Sequence, residues 1–464
     1  MKGIATFFLV LMTIMSSFGQ EIEGQWNGVL KIQGMQLRIV FHINKTNNGL
    51  SATMDSPDQQ AKGIPVSATT FENSNLKLVV AKAGLEYSGT LKGQTIEGTL
   101  RQSGMEFPMN LSREVIEKPV VKRSQEPSKP YPYYSEEVTF QNGNANITLA
   151  GTLTLPQREG NFPAVILISG SGPQNRDEEL LGHKPFLVIS DYLTRNGIAV
   201  LRYDDRGVAQ SKGDFKTATT VDFASDVESA IAFLKTRKEI NKSKIGLIGH
   251  SEGGIIAPMV AAKLKVVNFI VLLAGTGIRG DKLLLLQQEA IAKASGTSDE
   301  AIQRNREINT KAFEMVFKSA STEALKRDLE KYLKETSVNN PSVNKGGMTD
   351  EQFIALQIAQ VTSPWMQYFI KYDPAPTLEK VKCPVLAVNG EKDLQVPPKV
   401  NLPAIEKALK AGGNKQVTIK EFPGLNHLFQ ECKTGAPAEY AEIDQTFSPL
   451  VLEVIGKWII EKTK

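Results

Sequence analysis

A chain of 464 residues exceeds what one core usually organises, so two or more domains are expected. With 41% apolar and 22% charged residues, the composition is that of a soluble globular protein rather than a disordered or membrane-spanning one. The net charge of +4 is mild for this length, and no Lys/Arg cluster alternates with aromatics, so nucleic acid is not among the expected partners.

Met1 to Gln20 reads as an export signal. Lys2 supplies the charged start, Ile4 to Met15 the apolar run, and Ser17-Phe18-Gly19 a small-x-small cleavage site. The run is too short for a permanent span, and no later stretch is long enough to insert stably in a membrane. No cysteine follows the cleavage site to carry a lipid. Residues 1–19 are therefore expected to leave a soluble, periplasmic or secreted chain.

Residues 20–113 alternate apolar and polar positions in short runs, clearest in Leu37 to Ile43 and Leu76 to Val80. Tyr87 to Leu100 reads as a hairpin turning at Lys92-Gly93. This is an antiparallel β-meander, a small barrel or curved sheet. Without an aromatic platform of the carbohydrate-binding kind, it is expected to be an accessory that shields the rest or supports a homodimer. Residues 114–134, with Pro127, Pro130 and Pro132, form a proline-rich linker that should be extended and stiff.

Residues 135–464 open with a strand pair, Val138 to Phe140 and Ile147 to Leu155. Pro163 to Ile168 is a continuous apolar run, the pattern of a parallel strand covered on both faces. A Gly-rich loop follows it, from Ser169 to Gln174. After a further strand from Ile198, Phe223, Val227, Ala230, Ile231 and Leu234 recur at helical spacing. Then Lys244 to Ile248 makes a strand, Gly249-His250-Ser251-Glu252-Gly253 a G-x-S-x-G turn, and Gly254 onward a small-residue helix. Strand, turn and helix together form a nucleophile elbow that exposes the serine oxygen at the end of a sheet.

An activated serine needs a base, and the base needs an acid to orient it. The chain has four histidines. His42 belongs to the N-terminal region, and His250, inside the elbow, is expected to point away from Ser251. His427 stands in a loop after the strand-like Gln416 to Ile419. Upstream, Val385 to Asn389 is a buried-strand pattern ending in Gly390-Glu391-Lys392-Asp393, which offers Asp393 as the acid and Glu391 as its rival.

The order Ser251, Asp393, His427 resembles that of the α/β-hydrolase superfamily over roughly the C-terminal two-thirds of the chain, with Gly390 and Asp393 matching its G-x-x-D acid loop. The resemblance implies a mostly parallel sheet with helices on both faces. It also implies an oxyanion hole made by the backbone N–H of Glu252 and of Ser171, with Gly172 the alternative to Ser171. Asp204-Asp205-Arg206-Gly207 with Ser211 is similar to the D-x-R-G-x-G-x-S loop of many members, Ala209 replacing the second glycine. There Asp205 and Arg206 are expected to make a structural ion pair near the site. Between Leu273 and Val385 the strand pattern stops for about a hundred residues, beyond any ordinary loop. In this family such an insert is a helical cap, here about 278–375. Leu325, Leu329, Tyr332 and Leu333 share one helical face in it, Thr349 to Gln352 forms a capping box, and Trp365, Tyr368, Phe369 and Tyr372 are candidates to line the pocket.

These features point to an exported serine hydrolase acting on small-molecule carboxylic esters through an acyl-enzyme, with no cofactor and no metal required. A serine aminopeptidase or acyl-peptide hydrolase shares the triad but needs an anchor for a peptide amine, for which Glu178 and Glu179 are conceivable. A ligand-binding protein on a hydrolase scaffold is a third reading, which the complete Ser251, Asp393, His427 set disfavours. Cys383, at a strand start, and Cys432, after the histidine loop, are expected at opposite ends of the sheet and so unbridged, because a disulfide needs Cα atoms within about 7 Å.

Overall fold

The computed structural model describes residues 22–32, 35–47, 49–59, 61–102, 105–117, 123–337 and 349–464. The expected export signal lies outside the described residues. The chain divides into two compact units, split after Lys118. Among the described residues, no helix is long and apolar enough to cross a membrane.

The first unit is an antiparallel sheet of ten strands: β1 (Gly24–Ile32), β2 (Met35–Thr46), β3 (Gly49–Ser56), β4 (Ala61–Pro65), β5 (Ala68–Glu72), β6 (Asn75–Val80), β7 (Leu85–Lys92), β8 (Thr95–Gln102), β9 (Met105–Pro108) and β10 (Leu111–Ser112). Its order is β4-β3-β2-β1-β10-β8-β7-β6-β5, with β9 pairing β8. Period-two alternation builds the core. In β6, Leu76, Leu78 and Val80 are buried while Asn75 and Lys77 are exposed. They pack with Trp26, Phe41 and Tyr87 on one face. The β7–β8 hairpin closes at the pair Lys92 and Thr95, with Gly93 in a left-handed conformation at the turn.

The second unit carries an eight-stranded sheet: β11 (Tyr134–Asn142), β12 (Ile147–Leu155), β13 (Phe162–Ile168), β14 (Ala199–Tyr203), β15 (Ile240–His250), β16 (Val267–Leu273), β17 (Val385–Gly390) and β18 (Val417–Phe422). The order is β11-β12-β14-β13-β15-β16-β17-β18. β11 and β12 pair antiparallel, β12 meets β14 antiparallel, and every later pairing is parallel. The central strands are apolar throughout because both faces are covered. Ala164, Ile166 and Ile168 of β13 face helices α2 (Thr220–Thr236), α3 (Gly253–Lys263) and α10 (Pro398–Ala411). Val165 and Leu167 face the other way, toward α1 (Pro185–Arg195) and α11 (Pro449–Lys462). This is the α/β-hydrolase architecture.

Among the described residues, five helices fill the insert between β16 and β17: α4 (Gly280–Ala294), α5 (Asp299–Lys318), α6 (Thr322–Ser337), α7 (Asp350–Val361) and α8 (Pro364–Lys371), before the short α9 (Ala375–Leu378). Leu325, Leu329 and Leu333 of α6 are buried, and Tyr332 is half-buried beside them. Thr349 and Gln352 close the capping box that starts α7.

Part of the proline-rich stretch is held to the rest of the second unit by long-range hydrogen bonds. The Arg123 guanidinium donates to the carbonyls of Leu181, Ala441 and Ile443, and Gln125 accepts from the N–H groups of Thr446 and Phe447. A proline-rich composition predicts stiffness, but it carries no signal for such long-range polar contacts.

Candidate active site

In a parallel sheet the loops leaving the C-terminal strand ends gather along one edge, and every candidate residue lies on one of them. β15 ends at His250, and α3 begins at Gly253. The reversal leaves Ser251 at φ 52°, a left-handed angle that costs a non-glycine residue about 1 kcal/mol or more. The Ser251 N–H donates to the Leu273 carbonyl at 2.8 Å, tying the turn to β16. The flanking glycines are steric necessities. A Cβ on Gly249 would sit 2.0 Å from the Gly253 carbonyl oxygen, and one on Gly253 would sit 2.2 Å from the carbonyl oxygen of Ile168.

His427 and Asp393 come from the loops after β18 and β17. Both are buried, and His427 Nδ1 stands 2.8 Å from Asp393 Oδ2. The other carboxylate oxygen, Oδ1, accepts from the N–H groups of Gln395 and Val396 at 2.8 and 2.9 Å, which fixes the acid before the imidazole meets it. A proton held on Nδ1 by the carboxylate leaves Nε2 as the basic nitrogen. Glu391 is not at this position. Its Oε2 accepts from the Gly424 N–H at 3.0 Å.

Ser251, Ser171 and Glu252 line a cavity of about 70 Å³, roofed by Leu283 of α4 and by Trp365 and Phe369 of α8. Among the described residues, the backbone N–H groups of Ser171 and Glu252 form no hydrogen bond within the protein. Two unsatisfied donors beside an elbow serine, at the N-terminal end of α3, suit a developing negative charge. Gly172 follows at φ 100°. Of the four aromatic candidates in the cap, Trp365 and Phe369 stack on each other over the cavity. Tyr368 of α8 and Tyr372 at its C-terminal end stack together, and the Tyr372 hydroxyl donates to Thr377; neither lines the cavity.

Glu252 also acts through its side chain. Oε1 accepts from Thr220 Oγ1 at 2.7 Å and from Trp365 Nε1 at 2.8 Å. Burial pushes this carboxyl up to about 6, although the two hydrogen bonds pull it down.

The expected Asp205–Arg206 ion pair does not form. Arg206 turns to α2 and binds Asp226 through Nε at 2.7 Å, with Asp222 beside it. Asp205 accepts from the Ser169 hydroxyl at 2.8 Å and the Gln174 N–H at 3.0 Å, bracing the loop that carries Ser171. Burial raises the Asp205 carboxyl well above its ordinary range, with the charges of Glu252 and Glu178 adding to it.

Two residues have larger roles than their spacing indicates. Glu178 is buried, and its Oε1 accepts from the Gly170 N–H at 2.6 Å and contacts His250 Nδ1 at 2.9 Å. His250 Nε2 lies 3.1 Å from the His427 carbonyl oxygen, and the two imidazole rings are 4.8 Å apart. Glu178 is thereby engaged within the protein, and Glu179 accepts from Asn175 Nδ2 at 3.4 Å. Desolvation opposes a charge on His250, but the Glu178 carboxylate and the His427 carbonyl outweigh it, and its pKa is raised. The remaining histidines are engaged elsewhere, His183 with Thr446 and the Tyr440 carbonyl, and His42 with Asp55. Cys383 and Cys432 are both free thiols.

The family model for serine aminopeptidase, S33, matches residues 186–431, more than half of the chain and all of the stretch from Ser251 to His427. Esterase EstD of Thermotoga maritima is 26% identical over 333 residues, which cover 71% of this chain and 70% of that protein. Among solved structures, an esterase of Pyrococcus furiosus, Pf2001, aligns with a TM-score of 0.44 at 14% identity, covering 75% of this chain and 100% of that one. Est1E of Butyrivibrio proteoclasticus with ferulic acid bound aligns with a TM-score of 0.41 at 16% identity, covering 70% and 99%.

Proposed function

Because the chain belongs to the serine aminopeptidase S33 family of α/β-hydrolases, we propose that it is an exported serine hydrolase that cleaves carboxylic esters through Ser251, His427 and Asp393. The observation that carries this reading is the Asp393–His427 hydrogen bond of 2.8 Å at the edge where the elbow presents Ser251. The esterase name of the Thermotoga maritima relative supports an ester over a peptide substrate. So does the engagement of Glu178, one of the two carboxylates considered for a peptide amine, by Gly170 and His250. Export rests on Lys2, the apolar run Ile4 to Met15 and Ser17-Phe18-Gly19.

In the proposed mechanism, His427 Nε2 takes the proton of Ser251 Oγ as Oγ attacks the acyl carbon. The carbonyl oxygen becomes an oxyanion, received by the N–H groups of Ser171 and Glu252. In comparable enzymes one lost donor costs about 3–4 kcal/mol. The tetrahedral intermediate collapses, the C–O bond to the alcohol breaks, and His427 returns its proton to the leaving oxygen. Water then attacks the acyl-enzyme with His427 again as base, releasing the acid and restoring Ser251. Asp393 holds the tautomer and offsets the imidazolium charge at each stage.

A fluorophosphonate probe tests the assignment. The native chain is expected to take one label and Ser251→Ala none, with hydrolysis of aryl acetates lost in parallel. Labelling that survives in Ser251→Ala places the nucleophile elsewhere. Panels of aryl acetates, aryl butyrates and aminoacyl anilides separate esterase from aminopeptidase.

A further inference from the structure

We propose that Glu178 and His250 are a positioning pair, a buried bridge that holds the oxyanion loop and the base loop at fixed distance on either side of Ser251. This inference rests on the reading of Ser251 as nucleophile.

The bridge runs through three segments distant in sequence. Gly170, adjacent to the proposed donor Ser171, gives its N–H to Glu178 Oε1 at 2.6 Å. The same oxygen meets His250 Nδ1 at 2.9 Å, and the far side of that ring meets the His427 carbonyl at 3.1 Å. One chain of contacts therefore joins the residue before the oxyanion donor, the residue before the nucleophile, and the backbone of the base itself. Packing along it is close. A Cβ built on Gly170 would lie 3.2 Å from Ser251 Cβ and 3.3 Å from Glu178 Oε1.

The protonation chemistry makes the bridge rigid. A carbonyl only accepts, so the proton facing His427 stands on Nε2. Nδ1 then either carries a second proton toward a carboxylate or accepts one from a carboxylic acid. In both cases a single proton is shared between Glu178 and His250, and both ring nitrogens of His250 are engaged. Phe186, Ile189, Leu273, Leu428 and Phe447 give the pair largely apolar surroundings. In such surroundings a pair that loses one member leaves the other buried and unsatisfied. Glu178 adopts φ 50°, a left-handed angle for a side-chain-bearing residue, where its carboxylate meets both partners. Neither Glu178 nor His250 lines the cavity around Ser251, so both act through the groups they hold rather than on substrate.

Displacing a reacting group by an ångström can cost about 100-fold in rate. Glu178→Gln, which keeps shape and removes the carboxylate, is therefore expected to lower kcat on an aryl acetate by about 10-fold to 100-fold with KM nearly unchanged. Affinity for an aryl trifluoromethyl ketone, which occupies the oxyanion hole as a hemiketal, should fall in proportion to kcat. A second pair of variants serves if Glu178→Gln does not fold. His250→Asn replaces Nδ1 but drops the donor to the His427 carbonyl, whereas His250→Gln keeps a donor near the Nε2 position. His250→Gln should recover most of the kcat that His250→Asn loses. Native kcat in Glu178→Gln, a loss expressed in KM, or equal damage in the two His250 variants overturns the pair. If native Ser251 takes no fluorophosphonate label, the reading of the site fails and the pair with it. If Ser251 labels normally while Glu178→Gln keeps native kcat, the pair alone fails.

Discussion

Glu252→Gln should make the folded protein less sensitive to rising pH, by an amount the structure sets. Glu252 is 4% exposed, and its carboxyl accepts two hydrogen bonds at one oxygen. Its pKa stands at about 6 against an ordinary 4.5, because burial penalises the charged form. Between those values the unfolded chain has released the proton while the folded chain still holds it. The stabilising contribution is thus complete below about 4.5 and lost as pH rises through about 6. The gap corresponds to about 2 kcal/mol. Glutamine cannot titrate, and its amide oxygen still accepts from Thr220 and Trp365, so whatever else the replacement costs is constant with pH. Between pH 4 and pH 7 the stability difference should move in favour of Glu252→Gln by about 2 kcal/mol. Relief of Asp205, which the Glu252 charge helps to raise, acts in the same direction. Urea unfolding followed by the fluorescence of Trp365 and Trp458 measures this, in a Trp26→Phe background because Trp26 belongs to the other unit. A difference that stays flat over this range, or moves toward the wild type, refutes the reasoning.

Asp393→Asn should lower kcat by about 10⁴-fold by favouring the wrong His427 tautomer, and Glu391→Gln should do far less; steady-state kinetics in which Glu391→Gln is the more damaging would exchange the two assignments. A chain beginning at Pro119 should fold and hydrolyse small soluble esters, since every proposed catalytic group lies in the second unit. Beginning instead at Tyr134 removes the Arg123 and Gln125 hydrogen bonds and should lower Tm by calorimetry; equal Tm values would mean that those contacts carry no stability.

The features legible in the sequence are those with local or periodic signatures. The elbow is a strand, a five-residue turn and a helix in unbroken succession, and the covered strands announce themselves as apolar runs such as Ala164 to Ile168. Asp393 can be preferred to Glu391 from its place in the G-x-x-D loop, and only Asp393 lies on His427. Tertiary polar pairing has no such signature. Asp205 and Arg206 look like partners because they are adjacent, yet the guanidinium reaches Asp226 on α2 while the carboxylate braces Ser169. Glu178 and His250 are 72 residues apart with nothing in their spacing to join them. In α8 and the residue that ends it, four aromatics invite one shared role. Trp365 and Phe369 are one helical row, and Tyr368 and Tyr372 the next, so the curvature of a single helix splits them between cavity and scaffold.

The bond from Trp365 to Glu252 has a consequence for inheritance and for engineering. In the proposed mechanism Glu252 offers its backbone to the reacting oxygen, and its side chain binds the helical insert, so one residue belongs to two otherwise separable modules. Exchanging the insert for that of a homologue would change the cavity around Ser251 and, in the same stroke, withdraw an indole donor from the buried Glu252 carboxylate. Any exchange of the insert therefore has to reckon with position 365. A transplanted cap must bring its own donor there, or the recipient must first neutralise Glu252.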